Sequence, residues 1–265
     1  MKRIIVLLIA VSLIIPAFAF AKKRKVKYQV VEVTNGGTIT GKIKSATKVE
    51  DPVLPINIKD KSDPKETELE KKTCGSSQQA NMYVLSPANE VSNALVIVEG
   101  VKEGKAAPQQ DTYIDNVNCK FEPLINIAYL KSQFVIKNSD PLLHNTSLGK
   151  YVREGVRRTV YNLALPFKDQ VIKKPIRVAG LINVKCDAHP WMRAYLYASR
   201  HPYVAITDAS GNFEIKGLLP GNYKVRVWHE GFEEIVKEVE VKADATGELN
   251  VTFTETRTPD FLSGL

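Results

Sequence analysis

Apolar positions along this chain come in short bursts. YQVVEV (28–33), TITGKIK (38–44), NMYVL (81–85), ALVIVEGV (94–101), LINIAYL (124–130), QFVIKNSD (133–140), RTVYNLAL (158–165), IRVAGLINVKC (176–186) and AYLYAS (194–199) are rich in Val, Ile, Tyr and Thr. Each has the length of a strand, and clusters of Asn, Gly, Pro and Asp separate them. No long stretch holds apolar residues at helical spacing, so the pattern predicts an all-β chain. The stretch from Val49 to Lys72, containing EDPVLPINIKDKSDPKETELEKK, is charged and broken by proline. It is expected to be an extended connection with little core of its own.

After Ser199 strand and turn signals alternate more tightly: HPYVAIT, DASG, NFEIKGL, LPGN, YKVRVWHEG, EEIVKEVEVKA and GELNVTFTE. In Tyr223-Lys224-Val225-Arg226-Val227 the aromatic and aliphatic residues fall on one face and the basic ones on the other, the signature of a half-buried sheet. Phe213, Ile215, Tyr223 and Val225 are expected to point inward, with Trp228 filling core. Gly211 and Gly221 occupy turns that need permissive backbone angles. The expected layout is a leader over 1–21, a first domain over 22–199 with an N-terminal extension, and a small β-sandwich over 200–265. The near absence of a linker implies that the two domains pack together.

The opening MKRIIVLLIAVSLIIPAFAFA has a basic start, an apolar run and a small-x-small ending, the layout of a secretory signal peptide. Export to the periplasm, cell surface or medium is therefore expected, with no membrane span left after cleavage. Of 37 Lys and Arg, two leave with the leader, and the remaining 35 face 29 Asp and Glu, a net of about +6. Much of that excess is KKRK at 22–25, which reads as a solvated tail. Basic clusters lack the interleaved aromatics of a strand-binding groove, so no nucleic-acid partner is expected. Three cysteines in an exported chain suggest one disulfide and one odd thiol.

CDAHPWM, from Cys186 to Met192, places a thiol, an imidazole and a thioether at the spacing C-x2-H-x2-M. Three chemistries compete for it: a metal site, a nucleophile with its base, or a buried loop with ordinary core filling. A Cys-His hydrolase needs an orienting third group and an oxyanion hole at a helix N-terminus or nest, and no helix is expected here. Zinc favours more Cys or His in place of Met. Thiolate, imidazole and thioether together favour copper. One imidazole is still missing, and the chain has only His144, His201 and His229 besides His189. His201 is expected at the domain junction and His229 at a strand end, capping neighbouring backbone. His144 follows the strand FVIKN, 42 positions before Cys186.

An early His followed by a late C-x2-H-x(n)-M loop in an exported β-sandwich resembles the blue copper proteins, the cupredoxins. The short x2 loop with Pro after its second His is most similar to that of the amicyanins. The resemblance implies a cupredoxin-like Greek-key β-sandwich with one type 1 copper. Its ligands would be His144, Cys186, His189 and a long axial Met192. It also implies that Asn145 ties the two ligand loops together, with Asp187 as its partner. His189 would be the solvent edge of the metal, beside a docking surface at Pro190 and Trp191. Cys74 and Cys119, flanking strand-like segments, are then the natural disulfide. From about Cys74 to Phe253 the chain resembles an exported bacterial group that joins a cupredoxin-like domain to a carboxypeptidase-regulatory-like, transthyretin-type sandwich; TDASGNFEIKGLLPGNYKVRVWHEG is the stretch most like it.

The function expected from this resemblance is single-electron carriage between redox partners rather than enzymatic turnover, with an acidic partner drawn by the positive charge. Two other readings stay open on the sequence: a non-catalytic surface or adhesion module that keeps the fold, and a copper-delivery protein.

Overall fold

The computed structural model describes residues 27–153, 155–259 and 262. The expected leader (1–21) and the KKRK run lie outside the described residues. Among the described residues all named elements but one are strands, and the chain is all-β as its pattern predicts. No helix among the described residues is long and apolar enough to cross a membrane.

Two short strand pairs, Gln29–Val30 with Glu103–Gly104 and Val53–Pro55 with Ser77–Gln79, lie outside the main sheets, and the other strands form two sandwiches. In the first, one sheet has the order Val171–Pro175, Gln133–Asn138, Thr112–Val117, Lys120–Glu122. The facing sheet has the order Val156–Leu165, His144–Arg153, Gly180–Lys185, Arg193–Ser199, Ile125–Tyr129. Each sheet contains one parallel pair, Gln133–Asn138 with Thr112–Val117 and Arg193–Ser199 with Ile125–Tyr129. Parallel neighbours cannot be joined by a hairpin, so the chain crosses between sheets to make them. Ile114, Phe134 and Ile136 from one sheet meet Leu148, Ile182, Val184 and Leu196 from the other in the core.

The second sandwich corrects the expected domain division. Its sheets have the orders Val204–Ile206, Leu95–Glu99, Gly221–His229, Phe232–Val241 and Asn212–Leu218, Gly37–Ser45, Thr246–Glu248, with Val251–Phe253 also on Gly37–Ser45. TITGKIK and ALVIVEGV, assigned by sequence order to the first domain, thus lie inside the sheets of the second. Ile39, Ile43, Val96 and Val98 fill its core beside Phe213, Ile215 and Val225. Strand pairing follows complementary faces rather than chain order, and no local signal distinguishes which sandwich a strand will join. Tyr223 is partly buried against this core. Gly211 has φ +70°, and a Cβ there would meet the Ile43 carbonyl oxygen at 2.4 Å.

The sandwiches pack directly on each other. Leu95, Ile97, Ile125, Tyr195, Val204 and Trp228 form a separate buried cluster at this junction. Leu95 and Ile97 face it while Val96 and Val98 face their own core, so the unbroken apolar run LVIV is a strand buried on both faces. Arg193 donates two hydrogen bonds to the Glu230 carboxylate, at 2.8 and 2.6 Å, and both residues are buried.

A second correction concerns Val49–Lys72. Leu54 and Ile56 in this stretch are part of the first core, and Pro64–Cys74 is a helix, α1. Its end signals explain it. The Asp63 side chain caps the start by accepting from the Lys65 amide at 2.9 Å, and Pro64 sits in the first turn. Glu66 lies near the start and Lys71 and Lys72 near the end, each complementing the helix dipole. The face α1 buries is Thr67, Glu70 and Cys74, so a search for an apolar stripe passes over it.

Candidate metal centre

Two neighbouring strands deliver the candidate ligands. His144 opens the strand His144–Arg153, which pairs antiparallel with Gly180–Lys185 through Ser147 opposite Lys185. Cys186 directly follows the second strand, and Met192 directly precedes Arg193–Ser199. CDAHPWM is therefore the loop of a hairpin whose last paired residues are Lys185 and Arg193. The Met192 amide donates to the His189 carbonyl at 2.9 Å and the Cys186 amide to the Met192 carbonyl at 3.4 Å, curling the loop back on itself.

Inside that curl, His144 Nδ1 and His189 Nδ1 lie 3.0 Å apart, and Cys186 Sγ lies 3.5 Å from His189 Nδ1. A ligand atom from each of His144, Cys186 and His189 falls within 4.8 Å of the others, and all three residues are buried. Cys119, Asp140 and His144 also cluster, but Cys119 is bonded to Cys74 and offers no thiolate. Met192 is buried at the foot of the loop. The Asn145 side-chain oxygen accepts from the Asp187 amide at 2.5 Å, so Asn145 joins the two ligand loops. Asp187 supplies its backbone to that tie, and its exposed carboxylate accepts from Asn162 Nδ2 at 3.4 Å.

The remaining ring nitrogens are held by carboxylates. His144 Nε2 is 2.8 Å from Asp140 Oδ2, and His189 Nε2 is 3.3 Å from Glu70 Oε1 on α1. Such pairs fix the tautomer and orientation of an imidazole whose other nitrogen binds a metal. Asp140 also accepts from the amides of Asn118 and Cys119 at 2.7 and 2.9 Å. Burial pushes the Asp140 carboxyl up, but His144 and these two amides more than offset it and hold it below the usual range. For His144, burial acts to lower the pKa, while Asp140 and Cys186 outweigh it and raise it. Burial likewise raises the Cys186 thiol, yet His144, His189 and the Asn145 amide bring it down to about 6.

The donor set therefore fits an ion of copper type: two imidazole nitrogens and a stabilised thiolate converge in a buried cluster. Two expectations need correction. His189 is 2% exposed and Trp191 5% exposed, so neither is a solvent edge or a docking face. Glu70 covers the first, and Trp191 is turned inward, donating from Nε1 to the Cys119 carbonyl at 3.2 Å. Pro190 alone of the expected docking pair is exposed. Cys74 and Cys119 form the expected disulfide, and Cys186 is free. His229 accepts from the Gly231 amide at 3.1 Å, and His201 from the Tyr203 amide at 3.3 Å, both serving backbone.

Asp140 and Glu70, which contact the two imidazoles, are absent from the sequence reading. Asp140, four positions before His144, carried a usable signal in its spacing from a candidate ligand. Glu70 carried none beyond the end signals of α1.

A family model described as the carboxypeptidase regulatory-like domain matches residues 189–254. No curated protein sequence matches the chain. Among solved structures, the copper-containing nitrite reductase NirK from Thermus scotoductus SA-01 is similar at 14% identity and TM-score 0.29, over 36% of this chain and 24% of that one. The chain thus spans about a quarter of that enzyme's length. A purple cupredoxin from Nitrosopumilus maritimus is similar at 19% identity and TM-score 0.29, over 34% of this chain and 100% of that one. A reduced amicyanin variant is similar at 16% identity and TM-score 0.29, over 39% of this chain and 98% of that one.

Proposed function

We propose that this chain is an exported, cupredoxin-like copper protein that carries single electrons and performs no substrate chemistry. The observation that carries this reading is the convergence of His144 Nδ1, His189 Nδ1 and Cys186 Sγ, with each imidazole backed by a carboxylate. Copper held there supplies one-electron exchange between its Cu(I) and Cu(II) states. The protein's contribution is rigidity. Asn145 fixes the separation of the ligand loops, and Asp140 and Glu70 fix the two rings, so little has to move when charge changes. Met192, buried at the end of the same loop, would be a further donor to the ion. A disulfide beside a free thiol fits an oxidising compartment, in keeping with export. The excess of basic residues favours an acidic redox partner and a salt-sensitive association rate.

The test is copper loading of the full chain followed by visible spectroscopy and voltammetry. An intense thiolate-to-copper band, lost in Cys186→Ser, together with a reversible one-electron couple is the expected result. A colourless loaded protein, with metal content and redox behaviour unaltered by Cys186→Ser, removes electron transfer. Tight Cu(I) binding without a reversible couple would instead favour copper delivery.

A further inference from the structure

Helix α1 lies outside the sheets of both sandwiches, and its buried face meets the first core through Cys74 alone, the rest of that face being polar. Thr67, Glu70 and Cys74 lie three and four positions apart, on one side of the helix, and all are buried. Such a face contributes little hydrophobic stabilisation. Its contacts instead converge on the metal centre. Glu70 Oε1 meets His189 Nε2 at 3.3 Å, and Glu70 Oε2 is paired with Lys61. The Thr67 hydroxyl accepts from the Lys61 amide at 2.9 Å, which holds that lysine's segment against the helix. One helical turn further on, Cys74 is bonded to Cys119. The amide of Cys119 donates to Asp140, the carboxylate on His144, and its carbonyl accepts from Trp191 in the ligand loop. The disulfide thus connects the carboxylate behind one imidazole with the carboxylate behind the other.

We infer that α1 is a disulfide-pinned cap over the metal centre, in which Glu70 acts as a positioning residue that orients His189 and closes its outer edge to solvent. This rests on the copper reading for the identity of the ion, but the cover itself exists without the ion. Entry and release of metal then require α1 to lift, and electrons reach the centre through covered protein rather than an exposed imidazole. Because Cys74 and Cys119 pin the cap, separating them loosens the hold on His189 and His144 together.

The experiment uses the full chain as wild type, Glu70→Gln, Glu70→Ala and the double variant Cys74→Ser/Cys119→Ser. In the metal-free protein, the reaction of Cys186 with an aromatic disulfide reagent reads the cover directly, since no other cysteine is free. In the copper-loaded protein, transfer of Cu(I) to a soluble chelator reads release, and voltammetry reads the potential. Loss of the hydrogen-bonding side chain at His189 in Glu70→Ala, and of the anchor of α1 in the double variant, predicts both rates rising on the order of tenfold. Glu70→Gln, which keeps an acceptor oxygen in place, holds both rates within about twofold of wild type. The potential rises in Glu70→Gln and Glu70→Ala alike, because each removes a negative charge that favours Cu(II). Wild-type thiol and release rates in a folded Glu70→Ala overturn the cap, and a wild-type potential in Glu70→Gln overturns its electrostatic hold on His189. If the wild type takes up no copper, the proposed function fails, while the thiol rates still decide whether α1 covers the centre.

Discussion

At Cys186 burial and hydrogen bonding pull in opposite directions. Burial alone would keep the thiol protonated, but His144, His189 and the Asn145 amide bring its pKa to about 6. In the metal-free protein, thiolate absorbance in the ultraviolet should therefore appear with a midpoint near 6, against about 8.5 for an ordinary cysteine. His144→Ala should move that midpoint upward and abolish metal uptake. His201 and His229 lie outside the centre and behave oppositely. Burial lowers His201 to about 4, and burial with the nearby Arg193 and Arg257 charges lowers His229 to about 3. Both folded values lie below the unfolded one, so the unfolded chain takes up protons first. Stability from these two residues is intact above about 6.5 and falls as pH drops towards their folded values. At pH 5 unfolding should take up about two protons through them, and His229→Asn should remove about one, measured from the pH dependence of denaturant unfolding.

Helix α1 shows how an element can be set by its ends and its anchors instead of its buried face. Asp63, Pro64 and the charge gradient from Glu66 to Lys72 define it locally. The Cys74–Cys119 bridge, 45 residues apart in sequence, contributes about 4 kcal/mol in the chain-entropy view. Asp63→Ala should cost about 1 kcal/mol, and the loss should be local. Amide exchange should speed up within Pro64–Cys74 while the strands Gln133–Asn138 and Gly221–His229 keep their protection; equal loss of protection in all three would show that α1 is part of the cooperative core. The ligand hairpin is the contrasting case. Its strands are read from alternating apolar residues, and its loop from the crowding of Cys, His, Pro and Met.

For the molecule as a whole, the second sandwich is closed by strands from far upstream. Leu95–Glu99 lies between Val204–Ile206 and Gly221–His229, and Gly37–Ser45 lies between Asn212–Leu218 and Thr246–Glu248. A fragment of residues 200–265 would lack an inner strand of each sheet and expose the faces that Ile39, Ile43, Val96 and Val98 cover. That fragment should show no cooperative thermal transition and no dispersed amide resonances, whereas a single chain joining residues 28–105 to 201–257 should show both. A folded 200–265 fragment would mean that the sandwich completes itself by other pairings.

Read alone, the sequence determined the all-β class and the strand texture and pointed to the Cys74–Cys119 pairing, while its resemblance to the cupredoxins implied His144, Cys186 and His189 as one ligand set. Side-chain period and turn chemistry are local, and the donor types in CDAHPWM and at His144 limit which ion they suit. Only the tertiary structure decided which sandwich Gly37–Ser45 and Leu95–Glu99 join, because strand pairing is settled by complementary faces far apart in sequence. It alone turned Trp191 inward and set Glu70 against His189. A charged side chain on a polar helix reads as solvent-facing until a disulfide and a partner imidazole hold it inside.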